Sequence, residues 1–249
     1  MNHNTIKPVI VLLHGFCENS SLWDHIIPKL EYSGQIIALN LPGFGGEPLH
    51  FENFSLADIA NKIYTDLTNK GVDNCICIGH SLGGYISLAL KKLHPTFVVK
   101  VGLIHSSAYA DTLEKKKNRN KLINLLNNQS TTTFLSSFIP SLFCEINIEA
   151  LKSEINKVIK MSDGLEIKTI QAYSKAMRDR EDNSNILSNE KSLLFIAGEC
   201  DNSVPIEISK KQINIIKDKS NSFLLKNVAH MGMYESPSIV IKAINQYIT

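Results

Sequence analysis

Short apolar runs alternate along this sequence with segments whose apolar residues have helical spacing. The five strongest runs are rich in β-branched residues and end near Gly, Pro or Asn, and they cover residues 9–13, 35–39, 75–78, 98–104 and 193–197, with a weaker sixth run at 222–225. Such runs suit strands buried on both faces of a parallel sheet. The helical segments between them cover residues 21–30, 55–68, 82–93, 206–216 and 236–248. This order predicts an α/β fold, with a mostly parallel sheet, helices on both faces and right-handed crossovers.

Residues 111–189 interrupt the alternation, because they contain no convincing buried strand. The segment opens with the charged run 114–117 and then shows helical spacing at Leu151, Ile155, Val158 and Ile159, and again at Ile170, Tyr173 and Met177. We interpret it as a helical cap inserted over the carboxyl edge of the sheet, where open α/β folds bind ligands. The predicted core is then 1–110 together with 190–249.

Composition excludes several classes of protein. The chain of 249 residues carries 26 Lys and Arg against 24 Asp and Glu, a net charge of +2, which is too small a cationic excess to hold a nucleic acid. Its apolar runs are far shorter than the roughly 20 residues that a membrane span requires. Residues 1–8 lack the apolar core of a secretory signal, which predicts a cytoplasmic location.

The cysteine pattern agrees with a reducing compartment. The number of cysteines is odd and their spacing does not suit metal binding, so we expect free thiols at Cys17, Cys75, Cys77, Cys144 and Cys200. Cys75 and Cys77 would share one face of a strand, but they lie in an apolar run, which favours packing over metal binding. With no clustered His or carboxylate pattern either, the sequence predicts neither a metal nor a cofactor.

A sharp turn at Gly79-His80-Ser81-Leu82-Gly83 joins a predicted buried strand to a predicted helix. A serine on so tight a turn has a strained backbone, and the positions two before and two after it must be small. Its hydroxyl would project above the sheet at a helix N-terminus, where free amides favour negative charge. A glycine-rich turn with an incidental serine is the alternative, but the flanking strand and helix favour a nucleophile.

With this turn the sequence resembles the α/β-hydrolase family, and other segments fit the resemblance. His14-Gly15-Phe16, after the first strand, is similar to the family's oxyanion loop, which implies that the N–H groups of Phe16 and Leu82 bind an oxyanion and that His14 is structural. Asn40 stands where a related loop usually begins with Asp. We assign His80 to packing and local hydrogen bonding. The remaining histidines match no motif: His3, His25, His50, His94 and His105.

Two later segments supply candidates for the rest of a catalytic triad. Asp201 follows a predicted strand and precedes a Val-Pro helix start, like the loop that carries the family's acid; Glu199 is a competing carboxylate, and a turn aspartate is the plainer alternative. His230 lies in a loop after the last strand, where the family carries its histidine. The order Ser81, Asp201, His230 is the one expected of this fold.

Substrate contacts are expected from the cap and from residues beside the oxyanion loop, although each candidate could equally belong to the core. The candidates are Cys17, Trp23, Phe134, Phe138, Phe143, Tyr173, Met177 and Met231. Arg180 or Arg178 could bind a substrate carboxylate, with an exposed Arg-Asp pair as the commoner alternative.

The predicted function is a serine hydrolase that cleaves a small ester, thioester or related acyl substrate through an acyl-enzyme on Ser81, with a small molecule as its partner. A carbon–carbon bond hydrolase or a lyase of the menaquinone-pathway type would resemble this chain in the same triad and cap. A non-catalytic receptor for a small hydrophobic ligand is the alternative from another class. The substrate and the oligomeric state do not follow from the sequence.

Overall fold

The computed structural model describes residues 7–49 and 53–249; the histidines at positions 3 and 50 lie outside these ranges. Its centre is a parallel six-stranded sheet with the strand order β2-β1-β3-β4-β5-β6. The strands are β1 (Val9–Leu13), β2 (Ile36–Leu39), β3 (Cys75–His80), β4 (Val98–Ile104), β5 (Leu193–Gly198) and β6 (Ser222–Leu225). The predicted α/β class and parallel sheet are confirmed.

Ten α-helices accompany the sheet within the described residues. They are α1 (Leu56–Asn69), α2 (Leu82–Leu93), α3 (Leu113–Leu125), α4 (Thr131–Phe138), α5 (Lys152–Met161), α6 (Ile167–Arg178), α7 (Ser184–Asn189), α8 (Ile206–Ile215), α9 (Gly232–Glu235) and α10 (Pro237–Ile248). Helix α2 packs on α1 and on the central strands, while α8 and α10 contact β5. Helices α3 to α7 all lie between β4 and β5, in the segment predicted as an insertion.

Local sequence explains where α1 begins. The Ser55 hydroxyl accepts the Asp58 N–H at 3.2 Å, and the Asp58 carboxylate accepts the Ser55 N–H at 2.8 Å, which forms a capping box. The apolar residues of the helix recur at helical spacing and are buried: Leu56, Ile59, Ala60, Ile63 and Leu67. Ser55 therefore fixes the start of this helix as its N-cap.

The α-helix predicted for residues 21–30 is wrong. Two 3₁₀ turns occupy this segment, Ser20–Trp23 and Ile27–Lys29. Pro28 has no N–H to donate inside an α-helix, and the Asn19 side chain caps the first turn by accepting the Ser21 N–H at 2.9 Å. Burial on both faces also fails for β2, whose residues are half-buried because it lies at one end of the strand order.

The apolar interior is continuous from the sheet into the segment between β4 and β5. Tyr173 of α6 is fully buried, and its hydroxyl donates to the Pro42 carbonyl at 3.0 Å. All five cysteines are free thiols and four are buried, Cys200 being half-buried. Among the described residues, none of the helices has the length and apolarity needed to cross a bilayer. The same residues contain no His, Cys, Asp and Glu cluster arranged to hold a metal ion.

Candidate active site

Ser81 lies between β3 and α2 with φ of 49°, in a region of backbone space that side chains other than glycine rarely adopt. A Cβ at Gly79 would lie 2.1 Å from the Gly83 carbonyl carbon, and one at Gly83 would lie 2.4 Å from the Leu13 carbonyl oxygen. The atoms that such a Cβ would meet belong to the backbone, so they could not move aside as the end of a flexible side chain could. The turn therefore requires glycine on each side of Ser81, as the sequence predicted.

Three side chains that are distant in sequence meet above this turn. The Ser81 hydroxyl donates to His230 Nε2 at 2.8 Å, and His230 Nδ1 donates to Asp201 Oδ2 at 2.8 Å. The second Asp201 oxygen accepts the N–H groups of Ser203 and Val204 at 2.8 and 2.9 Å, which fixes the carboxylate. All three side chains are at least nine-tenths buried. A hydroxyl, an imidazole and a carboxylate are thus joined in one hydrogen-bonded sequence, which is the geometry that nucleophilic catalysis by a hydroxyl requires.

Asp201 keeps its charge despite its burial. Burial alone would raise the pKa of this carboxyl group, but the attraction of His230 and the interactions with His105 outweigh it and hold the pKa well below the ordinary range. A permanent negative charge next to His230 Nδ1 selects the tautomer with its proton on that nitrogen. The other nitrogen, Nε2, is then free to accept the Ser81 proton.

The two predicted oxyanion donors are both close to Ser81, since Phe16 lines the same cavity and Leu82 is the next residue in the chain. Phe16 follows β1 in a turn, and Leu82 is the first residue of α2, so its N–H has no intrahelical acceptor. Neither N–H donates to another group among the residues that the structure describes. These two amides are thus available to a negatively charged oxygen.

His14 holds the loop that carries Phe16. Its Nδ1 donates to the Gly15 carbonyl at 2.8 Å, and its Nε2 accepts the Leu41 N–H at 3.0 Å, which requires a neutral ring. Burial lowers its pKa to about 4. His14 therefore bonds backbone groups, and it forms no hydrogen bond with Ser81.

Two buried groups beside these side chains were not predicted from the sequence, and a third has more distant partners than expected. Glu18 Oε2 accepts the Gly15 N–H at 2.6 Å and lies 2.9 Å from His80 Nδ1, while His80 Nε2 donates to the His230 carbonyl at 2.9 Å. His80 is fully buried and hydrogen-bonded, as predicted, but both of its partners are distant in sequence. The sequence could have indicated Glu18 as a candidate, because it is a lone carboxylate beside an apolar segment, two residues after Phe16.

His105 was the second missed residue. It directly follows β4 with φ of 47° and is fully buried. Its Nδ1 lies 3.6 Å from Asp201 Oδ2, a distance too long for a hydrogen bond. Burial lowers its pKa to about 4, so the ring is neutral near pH 7. A polar residue directly after a buried strand, at the carboxyl edge of the sheet, was the signal that could have found it.

A cavity of about 230 Å³ lies above Ser81 and His230. Two predicted substrate contacts, Phe138 and Met177, line it. Its other walls come from Phe16, Glu18, Tyr85 and Ser203 of the predicted core, and from five residues of the segment 111–189: Lys115, Asn118, Arg119, Leu122 and Leu142. The cavity is thus apolar near the nucleophile and has two cationic side chains on the side of α3.

The other predicted contacts do not line this cavity. Tyr173 bonds Pro42, and the remaining apolar candidates are packed in the interior: Cys17, Trp23, Phe134, Phe143 and Met231. The buried guanidinium of Arg180 stacks 4.1 Å from the Tyr85 ring centroid and bonds Asp111 at 2.5 Å. Arg178 pairs with the exposed Asp179, and both arginines line a separate cavity of about 710 Å³. The structure does not support these residues as contacts in the cavity above Ser81.

Comparison with known proteins agrees with this geometry. The family model described as "alpha/beta hydrolase fold" matches residues 8–237. The uncharacterized hydrolase YugF of Bacillus subtilis (strain 168) is 25% identical, over 98% of this chain and 91% of its own. A pimeloyl-[acyl-carrier protein] methyl ester esterase of Aeromonas hydrophila subsp. hydrophila is 36% identical, but over only 35% of this chain and 34% of its own.

Solved structures extend the likeness to the whole fold. A thermophilic esterase from Thermogutta terrifontis superposes with a TM-score of 0.88 at 21% identity, covering 97% of this chain and 89% of that one. At this identity the likeness concerns the fold. Together with the family match over most of the sequence, it shows that this chain is an enzyme of the alpha/beta hydrolase fold family.

Proposed function

We propose that this enzyme hydrolyses small carboxylic esters or thioesters through an acyl-enzyme on Ser81. The observation that carries the proposal is the unbroken hydrogen-bond sequence from Ser81 Oγ through His230 to Asp201, with 2.8 Å at each step. A hydroxyl is a weak nucleophile by itself, and a positioned base that removes its proton as it attacks makes it effective.

Each step follows from this arrangement. His230 Nε2 takes the Ser81 proton as Oγ attacks the carbonyl carbon, and the carbonyl oxygen becomes an oxyanion facing the N–H groups of Phe16 and Leu82. His230 then gives its proton to the departing alcohol or thiol, which leaves an ester on Ser81. A water molecule, deprotonated by His230, attacks that ester and releases the acid, and the proton returns to Ser81.

The segment 111–189 would act as the cap of this enzyme, with 1–110 and 190–249 as the catalytic core. Helix α3 and residues Phe138 and Met177 all come from this segment, and they close the cavity opposite Ser81. Substrate selection would then depend on the cap, while the chemistry depends on the core.

The charges of the cavity favour a substrate with a negative group away from the scissile bond. Lys115 Nζ donates to the Ser203 carbonyl at 2.9 Å, and Arg119 Nε bonds Asp111, whose other oxygen binds Arg180. The single negative charge of Asp111 therefore faces two guanidinium groups. The Nη groups of Arg119 bond no other described residue, so they are available to a carboxylate.

Free thiols at all five cysteines support the cytoplasm as the place of this reaction, since disulfides are rare there. A small molecule is the partner that a cavity of about 230 Å³ accepts.

The test is replacement of the nucleophile. Ser81→Ala should lower kcat on short p-nitrophenyl esters by about 10⁴-fold or more, because the triad acts as a unit. A fluorophosphonate should label the wild-type protein and leave Ser81→Ala unlabelled. Ser188→Ala, which removes a hydroxyl on α7, is the matched control and should retain full activity and labelling.

The outcomes separate the alternatives. Wild-type turnover in Ser81→Ala would refute the nucleophile. Labelling of Ser81 without hydrolysis of any ester or thioester would refute ester hydrolysis and favour carbon–carbon bond cleavage or a lyase on the same triad. An intact protein whose Ser81 is never labelled would be a receptor, because an unactivated serine does not react.

A further inference from the structure

Glu18 and His80 form a buried pair behind the proposed triad that the mechanism above does not use. The His80 side chain is fully buried and the Glu18 side chain is 1% exposed, with 2.9 Å between His80 Nδ1 and Glu18 Oε2. Burying ionisable groups is unfavourable unless they are paired and hydrogen-bonded. The groups that hydrogen-bond to this buried pair are therefore informative about its role.

Hydrogen bonds indicate that the pair is ionic. His80 Nε2 faces the His230 carbonyl oxygen, which can only accept, so this nitrogen carries a proton. His80 Nδ1 faces Glu18 Oε2, the same oxygen that accepts the Gly15 N–H at 2.6 Å. A carboxylate oxygen that accepts from both donors, beside an imidazolium that donates from both nitrogens, gives each of these hydrogen-bonding atoms a partner.

The surroundings favour the same state. Burial alone would lower the pKa of His80, but the attraction of Glu18 and the bonds to Glu18 and His230 outweigh it and raise the pKa. Burial would raise the pKa of Glu18, yet His80 and the Gly15 N–H lower it. Asp201 is also near the pair, and its charge raises the pKa of His80 as well. The other titratable groups near the pair are Cys17, Tyr234 and the imidazoles of His14, His105 and His230.

The pair connects three backbone segments whose relative positions matter for the proposed reaction. Glu18 holds the N–H of Gly15, the residue before the proposed oxyanion donor Phe16. His80 is the residue before Ser81, and it holds the carbonyl of His230. Space is tight as well: a Cβ at Gly15 would lie 2.7 Å from both Glu18 Oε2 and His80 Nδ1.

We propose that Glu18 and His80 are positioning residues, an ionic pair that keeps the Phe16 N–H and the His230 imidazole in register with the Ser81 hydroxyl. This inference rests on the proposed function, since it assigns a role within the same site. Neither residue takes part in proton transfer to the substrate. Both act through the groups that they hold.

Removing the charge of Glu18 breaks one of the two bonds of His80. In Glu18→Gln the amide oxygen can still accept from Gly15, but a neutral imidazole has a single N–H, which serves either the new amide side chain or the His230 carbonyl. Misplacement of a catalytic group by about 1 Å can cost about 100-fold in rate. We therefore expect kcat to fall between about 10-fold and 100-fold, with KM changed by less than about twofold.

The kinetic experiment compares Glu18→Gln, His80→Gln and the double variant on p-nitrophenyl acetate, with thermal unfolding of each. Glu190→Gln is the matched control: it removes the carboxylate of a pair with Lys91, 3.0 Å apart, far from the cavity. The double variant should be no slower than the slower single variant, because all three lose the same connection. Full kcat in Glu18→Gln, or losses that multiply in the double variant, would overturn the proposal.

A measurement on the wild-type protein needs no variant to fold. At pH 7 an ordinary imidazole, with a pKa of roughly 6.5, is mostly neutral. Nitrogen-15 NMR should show His80 at pH 7 with protons on both ring nitrogens, its ring signals being assigned through their connection to the backbone amide of the same residue. A neutral His80 would overturn the pair. Because this readout requires no turnover, a protein inactive on every ester would refute the proposed function while the state of His80 is still measured.

Discussion

Acid should destabilise this protein through two buried neutral imidazoles, His14 and His105. The His14 ring accepts the Leu41 N–H on Nε2, so protonation there would place two donors face to face. The His105 ring has no hydrogen-bond partner on either nitrogen among the described residues. Burial lowers the pKa of each to about 4. Both groups therefore resist a proton that the unfolded chain accepts.

The size of the effect follows from linkage. A group whose folded pKa is lowered contributes stability that is present above its unfolded value, roughly 6.5 for histidine, and lost as the pH falls towards the folded value. Between pH 7 and pH 5 each imidazole should lower the free energy of unfolding by about 2 kcal/mol. His80, whose pKa is raised, has the opposite sign, since its stability is present below the ordinary value and lost as the pH rises.

The variant His105→Asn isolates one of these contributions. Asparagine tolerates the positive φ of this position and does not titrate. Between pH 7 and pH 5 the variant should lose about 2 kcal/mol less stability than the wild type, and His80 cancels from the comparison because both proteins contain it. His25→Asn, at a half-buried position whose ring donates to the Met233 carbonyl at 2.8 Å, should stay within about 0.5 kcal/mol of the wild-type loss.

Urea unfolding at the two pH values measures this difference, with fluorescence of Trp23, the only tryptophan, as the probe. Trp23 is fully buried, so its emission should change strongly on unfolding. If His105→Asn loses as much stability as the wild type between pH 7 and pH 5, then His105 is not held neutral in the folded protein, and the account of its burial is refuted.

Two further predictions concern helix α3 and the loop before His230. Arg119→Gln should lower kcat/KM about 10-fold for a p-nitrophenyl half-ester with a free carboxylate, and less than twofold for a neutral ester of equal length. Lys121→Gln, on the same helix, should change kcat/KM for neither ester. Equal losses of Arg119→Gln on both esters would contradict a carboxylate site. Gly198→Ala should lower the free energy of unfolding by about 3 kcal/mol, because its Cβ would lie 2.3 Å from two backbone carbonyl oxygens of the loop before His230. Gly46→Ala is the control: its Cβ meets nothing within 4 Å, so it should cost only about 1 kcal/mol through its positive φ. Urea unfolding measures both variants, and equal stability would refute the steric argument.

The sheet could be predicted because its signal is local. Val9–Leu13, Val98–Ile104 and Ser222–Leu225 begin and end at the residues where the sequence pattern places these strands. Helix α2 was equally clear, as it must begin directly after Ser81. The segment 21–30 failed for a local reason too, because Pro28 was given less weight than the apolar spacing around it.

Contacts between distant segments set the limit of sequence reasoning at the site. The triad was accessible because a known family supplied its chain order. Glu18 and His80 are 62 residues apart, and neither position alone indicates an ion pair. His105 gains its environment from Asp201, almost 100 residues later. A single sequence carries no record of which buried polar groups face each other, so these roles required coordinates.

The charges around Ser81 explain why a hydrolase would bury so many ionisable groups. In the resting state Asp201 is the uncompensated anion, since Glu18 is matched by His80 and both His14 and His105 are neutral. Transfer of the Ser81 proton to His230 would create a cation directly beside Asp201 and an oxyanion beside the free amides of Phe16 and Leu82. Each new charge would then arise where an opposite charge or dipole is already fixed, so no solvent needs to reorganise at that moment. A second neutral imidazole at His105 serves the same end, because a cation there would compete with His230 for the charge of Asp201.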